Sequence, residues 1–218
     1  MSQPRMNIYG FPHKGIRIAL SELSKLSGKI DYSNESSLNE LKSITNEITM
    51  LLDLHLHSEE GVVLRALESK VPGSIHENVE EHEKLEQEVA DFKAKLNEIT
   101  VESSPDLGAN FYSSFSNFHS NYLAHMAMEE GEMNPIIWDN FSDQEILGWQ
   151  GAIMASLTPD QTMKWFKYIV PALSPIERSM IMGGFKQNAP SEFFDATLEM
   201  LKSYMEESEL LQLKAMLS

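Results

Sequence analysis

Apolar residues recur along this chain at three- and four-residue intervals, and almost no segment alternates apolar with polar residues, so the pattern predicts an all-α protein. On a helical wheel with Leu41 as zero, Ile44, Ile48, Leu51, Leu52, Val62 and Ala66 share one stripe, and His55 and Glu59 fall inside it. Seventy residues on, Phe111, Phe115, Phe118, Tyr122, Met133 and Ile136 form a matching stripe that holds His125 and Glu129. Both stripes contain the frame His-x-x-x-Glu-Glu-Gly, as HLHSEEG from His55 and HMAMEEG from His125. The match weakens past the glycine, where Glu132 takes the place of Val62 and Pro135 is expected to kink or end the helix. Two further stripes, His13/Ile16/Leu20/Leu23 and Val79/His82/Leu85/Val89/Phe92/Leu96, each carry one inward histidine.

The separators are short and turn-rich: Gly28 into DYSNESS, KVPGS around Pro72 and Gly73, and ESSPDLG around Pro105 and Gly108. Short connections make neighbouring helices antiparallel, which predicts an up-down-up-down four-helix bundle. In that topology the starts of the first and third helices share an end with the finishes of the second and fourth. His13 and His82 come early in their helices and the two His–Glu pairs come late, so His13, His55, Glu59, His82, His125 and Glu129 converge on one layer. His57, roughly 200° from His55 at about 100° per residue, faces solvent, and Glu60 and Glu130 sit on the flanks. His76 and His119 read as surface or packing residues. Glu80, Glu81 and Glu83 read as a solvated face, while Glu86, on the His82 face, is a candidate extra or outer ligand.

After Trp138 the pattern changes to short helices announced by caps: SDQE at Ser142, TPDQ at Thr158, SPIE at Ser174 and APSE before Phe193. This divides the chain into a bundle over 1–140 and a helical extension over 141–218, with four or five helices in the extension. Trp149, Trp165, Phe166, Phe185, Phe193 and Phe194 give it enough apolar mass to pack on the bundle or to form a small domain. It holds no histidine, so the chemistry is expected before Trp138.

Composition narrows the chemistry. With no cysteine among 218 residues, disulfides, thiolate metal sites and cysteine nucleophiles are excluded, and any metal needs nitrogen and oxygen ligands. A formal charge of −16, from 17 Lys+Arg against 33 Asp+Glu, disfavours nucleic acid and anionic lipid as partners. No apolar run reaches the roughly 18 residues of a membrane span, and the first residues lack a signal-peptide core, so a cytoplasmic protein without a membrane partner is expected. The 13 methionines read mainly as adaptable core filler, though methionine-rich tail helices could also recruit a protein partner.

Four imidazoles and two carboxylates turned into a helical core need something to satisfy them. A histidine and a glutamate at i, i+4 stand about 6 Å apart along the axis, so one ion can take the nitrogen while the carboxylate reaches a second. Two facing pairs supply two bridging carboxylates, and His13 and His82 cap the two ions. Imidazole with carboxylate suits iron, manganese or zinc. Two iron ions are the expected cofactor, and about four protein ligands per ion leave positions open for a small ligand such as dioxygen.

These residues resemble a known family. His13, HLHSE, the EEHEKLE segment around His82, and HMAMEE followed by NPIIW are similar to the hemerythrin-like HHE cation-binding domain, over roughly Met6 to Asp139. The resemblance implies a four-helix bundle with a non-haem di-iron centre whose ligands match His13, His55, Glu59, His82, His125 and Glu129. It also implies roles among oxygen binding, redox or iron sensing and metal storage. Two positions depart from the oxygen carriers: Asn78 stands where they have a second histidine four residues before the equivalent of His82, and Glu130 where they have an aspartate. The resulting expectation is a di-iron protein that binds or senses dioxygen, a related small ligand or redox state. The alternatives are a di-iron redox enzyme handling peroxide or nitric oxide, and an interaction module stabilised by its metal.

Overall fold

Asn34 and Ser104 begin the two helices that carry the repeated frame. The Asn34 side chain accepts from the backbone N–H of Ser37, and Ser104 accepts from Asp106 with Pro105 in the first turn. The computed structural model describes residues 5–218, and all regular structure among them is helical. In chain order the helices are α1 (Gly10–Lys29), α2 (35–70), α3 (His76–Glu98), α4 (105–140), α5 (Asp143–Ser156), α6 (Pro159–Ala172), α7 (Pro175–Asn188), α8 (Ser191–Leu201) and α9 (Glu207–Met216). Five helices thus follow Trp138. Thr158 and Ser174 form reciprocal capping boxes with Gln161 and Glu177, and Ser142 exchanges hydrogen bonds with Glu145. The expected cap before Phe193 is absent, for Pro190 occupies the N-cap of α8 without a side-chain bond.

The two long helices share an irregularity that the wheel did not predict. α2 is α-helical over Glu35–Ser58, π-helical over Glu59–Leu64 and α-helical again over Arg65–Lys70. α4 follows the same course, through Pro105–Met128, a π segment at Glu129–Met133, and Asn134–Asn140. Each π turn opens on the first glutamate of the repeated frame. Its wider turn takes in an extra residue, so each later position faces where α geometry would have put its predecessor. Val62 and Ala66 are accordingly only half-buried, and Val63 and Leu67 fill the core in their stead. In α4 the core residue is Ile137 rather than Ile136. Met133 therefore pairs with Val63, and the repeat runs on past the glycine instead of weakening there. Nor does Pro135 end the helix, which continues to Asn140. It follows a turn whose i→i−4 ladder is already interrupted, so its missing N–H breaks little.

Side-chain bonds fix the helix directions. Lys42 Nζ donates to the carbonyl of Ile99, and His82 meets Glu60, so α2 and α3 are antiparallel. Lys95 with Ser114, Asn121 with Glu88 and His125 with Glu81 make α3 and α4 antiparallel as well. Lys70 Nζ reaches the carbonyl of Asn140, which brings the ends of α2 and α4 together.

The chain forms two compact units. The first comprises residues 5–10 and Ala19–Ser156, and the second Phe11–Ile18 with Leu157–Ser218. Within the first, Phe92, Phe111, Phe115 and Phe118 form an aromatic layer with ring centroids 5.0–6.4 Å apart. Ile8, Val63, Leu67, Met133, Ile137 and Phe141 form a second apolar cluster, built from the ends of the two π turns, the stretches that follow them and the residue Ile8 ahead of α1. α5 belongs to this cluster: Ile146 is buried in it, and Trp149 meets Phe141 edge-on at 4.6 Å. The first unit thus runs one helix past Asn140.

In the second unit Phe166, Val170, Met182, Phe194, Leu201 and Leu213 make the core. Buried Arg178 donates to the carbonyls of Val170 and Pro171 and pairs with Glu209. The first turns of α1 join this unit through Lys14, which pairs with Glu177, and Gly15, which lies flat on Ile169. Among the described residues no helix is long and apolar enough to cross a membrane.

Candidate metal centre

Each repeated frame delivers a histidine from the last α-helical turn and a glutamate from the first residue of the π turn. His55 Nε2 lies 3.3 Å from Oε1 of Glu59, and His125 Nε2 lies 3.4 Å from Oε1 of Glu129. His82 enters from α3 between the two carboxylates, its Nε2 3.6 Å from Glu59 Oε2 and 3.8 Å from Glu129 Oε1. The rings of His82 and His125 meet edge-on with centroids 4.9 Å apart. All five side chains are buried. Five of the six expected ligands therefore come together within the first unit. The sixth, His13, is fully buried near the start of α1.

The other nitrogen of two of these rings is held from outside. Nδ1 of His82 lies 3.0 Å from Glu60, and Nδ1 of His125 lies 2.8 Å from Glu81. An ionised carboxylate only accepts, so each Nδ1 is the donor and each Nε2 is the nitrogen turned toward Glu59 and Glu129. Asn78 Nδ2 donates to Glu129 Oε1 at 2.9 Å, fixing that carboxylate. These three residues complete the site beyond its expected ligands. Asn78 carried a signal, being four residues before His82 and so on its face, and Glu60 was placed correctly on the flank. The sequence pattern puts Glu81 on the solvated face. It precedes His82 by one residue and turns sideways toward α4, a direction that only the antiparallel pairing of α3 and α4 reveals.

Burial resists protonation of His82, but the carboxylates of Glu129, Glu59 and Glu60 outweigh it and hold the imidazole above its ordinary pKa. For His125 burial again opposes the charge, and Glu129, Glu81 and Glu59 overcome it, raising the pKa to about 9. Two phenols share this field. Tyr9 is pushed well above its usual range by burial, then by Glu129 and Glu59, and Tyr122 by burial, then by Glu59 and Glu129.

The remaining histidines stay out. His57 is exposed, bonded through Nδ1 to the carbonyl of Asp53 and raised in pKa chiefly by that bond. His76 is exposed and faces Glu80 at 3.3 Å. His119 stacks on Phe115, and burial lowers its pKa. Glu86 is not an inner or outer ligand of the centre: it is exposed and groups with Asp53 and His57 on the surface. Glu130 is half-buried.

The ligand-type atoms of Glu59, His82, His125 and Glu129 lie within 4.8 Å of one another. Nitrogens and carboxylate oxygens bind ions such as zinc at about 2.0–2.2 Å, which puts two ligands of one ion roughly 3 Å or more apart. The observed separations of 3.3–3.8 Å match that better than they match hydrogen bonds. Moreover, Nε2 of both His82 and His125 is buried without a hydrogen-bond partner among the described residues. The donor set thus fits a metal. A family model described as the hemerythrin HHE cation-binding domain matches residues 11–137.

The chain belongs to the hemerythrin HHE cation-binding family. The match spans α1 to α4, both repeated frames included, and the buried His/Glu groups could hold a metal. A zinc finger protein described as BRUTUS-like, from Arabidopsis thaliana, is 25% identical over 196 residues. The alignment covers 88% of this chain and 16% of that protein, so the chain spans about a sixth of its relative's length. No solved structure matches the chain.

Proposed function

We propose that this HHE-family chain holds two iron ions and uses them to bind or sense dioxygen, a related small ligand or redox state. The supporting observation is the layer in which two His–Glu pairs, one from each frame, face a third imidazole with nitrogens and carboxylate oxygens 3.3–3.8 Å apart. Glu59, His82, His125 and Glu129 have the ligand chemistry for one ion, and we assign His55, His13 and the same two glutamates to the other. Glu59 and Glu129 are common to both sets, as bridging carboxylates would be. Iron held by these side chains would supply reversible binding of, or electron exchange with, a small ligand such as dioxygen.

The chain's own residues do the rest. Glu60 and Glu81 fix the ring orientation of His82 and His125 and make their Nε2 atoms better donors. Asn78 orients Glu129. The phenylalanines of α3 and α4 keep bulk water from the layer. Manganese and zinc suit the same donors, and metal analysis separates them from iron. The functional test is to load the protein with iron, reduce it anaerobically and admit oxygen. A reversible absorption band supports the reading, and an unchanged spectrum contradicts it.

A further inference from the structure

Tyr122 lies three residues before His125 on α4, a spacing that puts both side chains on one face. Its side chain is fully buried. Its ring meets His125 edge-on with centroids 5.9 Å apart and packs against Phe118 at 5.5 Å. Its hydroxyl has no hydrogen-bond partner among the described residues. Buried hydroxyls are nearly always paired, so an orphan in a closely packed wall calls for a reason.

The surroundings narrow that reason. Nδ1 of His82 is committed to Glu60, Nδ1 of His125 to Glu81, and Nδ2 of Asn78 to Glu129. The aromatic wall of Phe92, Phe115 and Phe118 offers no acceptor at all. The ring contact with His125 puts the phenol against the layer that holds Glu59 and Glu129, and burial together with these two carboxylates keeps its proton in place. An O–H in that position is neutral, so it can serve a lone-pair-bearing guest without competing with the imidazoles for an ion.

We propose that Tyr122 is a positioning residue whose hydroxyl donates a hydrogen bond to a water or small anion held in the metal pocket. This rests on the metal-centre reading. It assigns to the chain a donor that distinguishes guests with an accepting atom from apolar ones of the same size. A phenylalanine there would preserve the wall and remove only the donor.

The test is Tyr122→Phe in the full chain loaded with iron, with azide as the probe. The exposed Tyr112→Phe serves as the control. The expected result is unchanged iron per chain, azide binding weakened about five- to tenfold, and an undiminished melting temperature for the chelator-treated protein, because the hydroxyl has no partner there to lose. Unchanged azide affinity with iron retained would overturn the proposal. Loss of iron would overturn it too, by making Tyr122 a ligand. So would a clear drop in metal-free stability, which would show that the hydroxyl is paired within the chain. If the parent protein itself takes up no iron, the metal-centre reading fails first, a result read on the parent rather than on the variant.

Discussion

Oε2 of Glu81 lies 2.8 Å from Nδ1 of His125, so the residue just before one site histidine orients another on the neighbouring helix. Removing that carboxylate leaves the inner donors in place but frees the ring to turn and makes it less basic. Glu81→Ala and Glu60→Ala are expected to weaken metal binding about 10- to 100-fold while leaving stoichiometry intact at saturating metal. Glu83→Ala, on the exposed side of α3, should behave as the parent. Competition against a chelator of known affinity measures all three.

A second expectation concerns pH in the metal-free protein. The pKa of His125 is raised to about 9, above the unfolded imidazole's 6.5 or so. The charged ring in its carboxylate setting therefore contributes stability that is fully present below about pH 6.5 and lost as pH rises through about 9. Urea midpoints of chelator-treated protein should fall across that window, and His125→Gln should flatten the fall. Metal displaces the same proton, so loading near pH 7 should release protons, measurable as a dependence of binding heat on the buffer's ionisation enthalpy.

The inward direction of the site histidines was legible from the 3.6-residue period alone. Up to Glu59 and Glu129 both long helices are regular, so the wheel needs no tertiary information, and all six expected ligands are buried. Beyond those glutamates the same reasoning erred by one residue, choosing Val62, Ala66 and Ile136 over Val63, Leu67 and Ile137. A π turn is a choice of hydrogen-bond partner, i→i+5 over i→i+4, and no residue type announces it the way proline announces a kink. Glu81 was missed for a different reason, since its role depends on the facing helix and not on its own.

The shifted register is itself testable. Val63→Ala should destabilise clearly more than Val62→Ala, its half-buried neighbour. Leu67→Ala should cost about 2–5 kcal/mol, as truncation of a fully buried leucine does. A larger effect at position 62 than at position 63 in chemical denaturation would mean that α2 keeps α geometry throughout.

Gly15 gives a prediction for the second unit. A Cβ there would lie 2.7 Å from Cγ1 of Ile169 and 3.1 Å from its backbone, which cannot step aside as a side-chain tip can. Gly15→Ala is expected to destabilise by about 1–3 kcal/mol despite alanine's better helix propensity. At Gly61 and Gly131 an added Cβ meets nothing within 4 Å, so alanine should be tolerated at both in thermal melts.

The most direct test of the repeated frame is metal content per chain, by elemental analysis, for the parent, Glu59→Ala, Glu129→Ala and His57→Ala. If each frame donates one terminal nitrogen and one shared carboxylate, the two glutamate variants should lose metal to matching extents. They should also lose the stabilisation that metal confers on the melt. His57→Ala, only two residues from His55 but exposed, should keep the parent's stoichiometry. A Glu59→Ala or Glu129→Ala protein with the parent's full metal content, or an empty His57→Ala protein, would contradict the account.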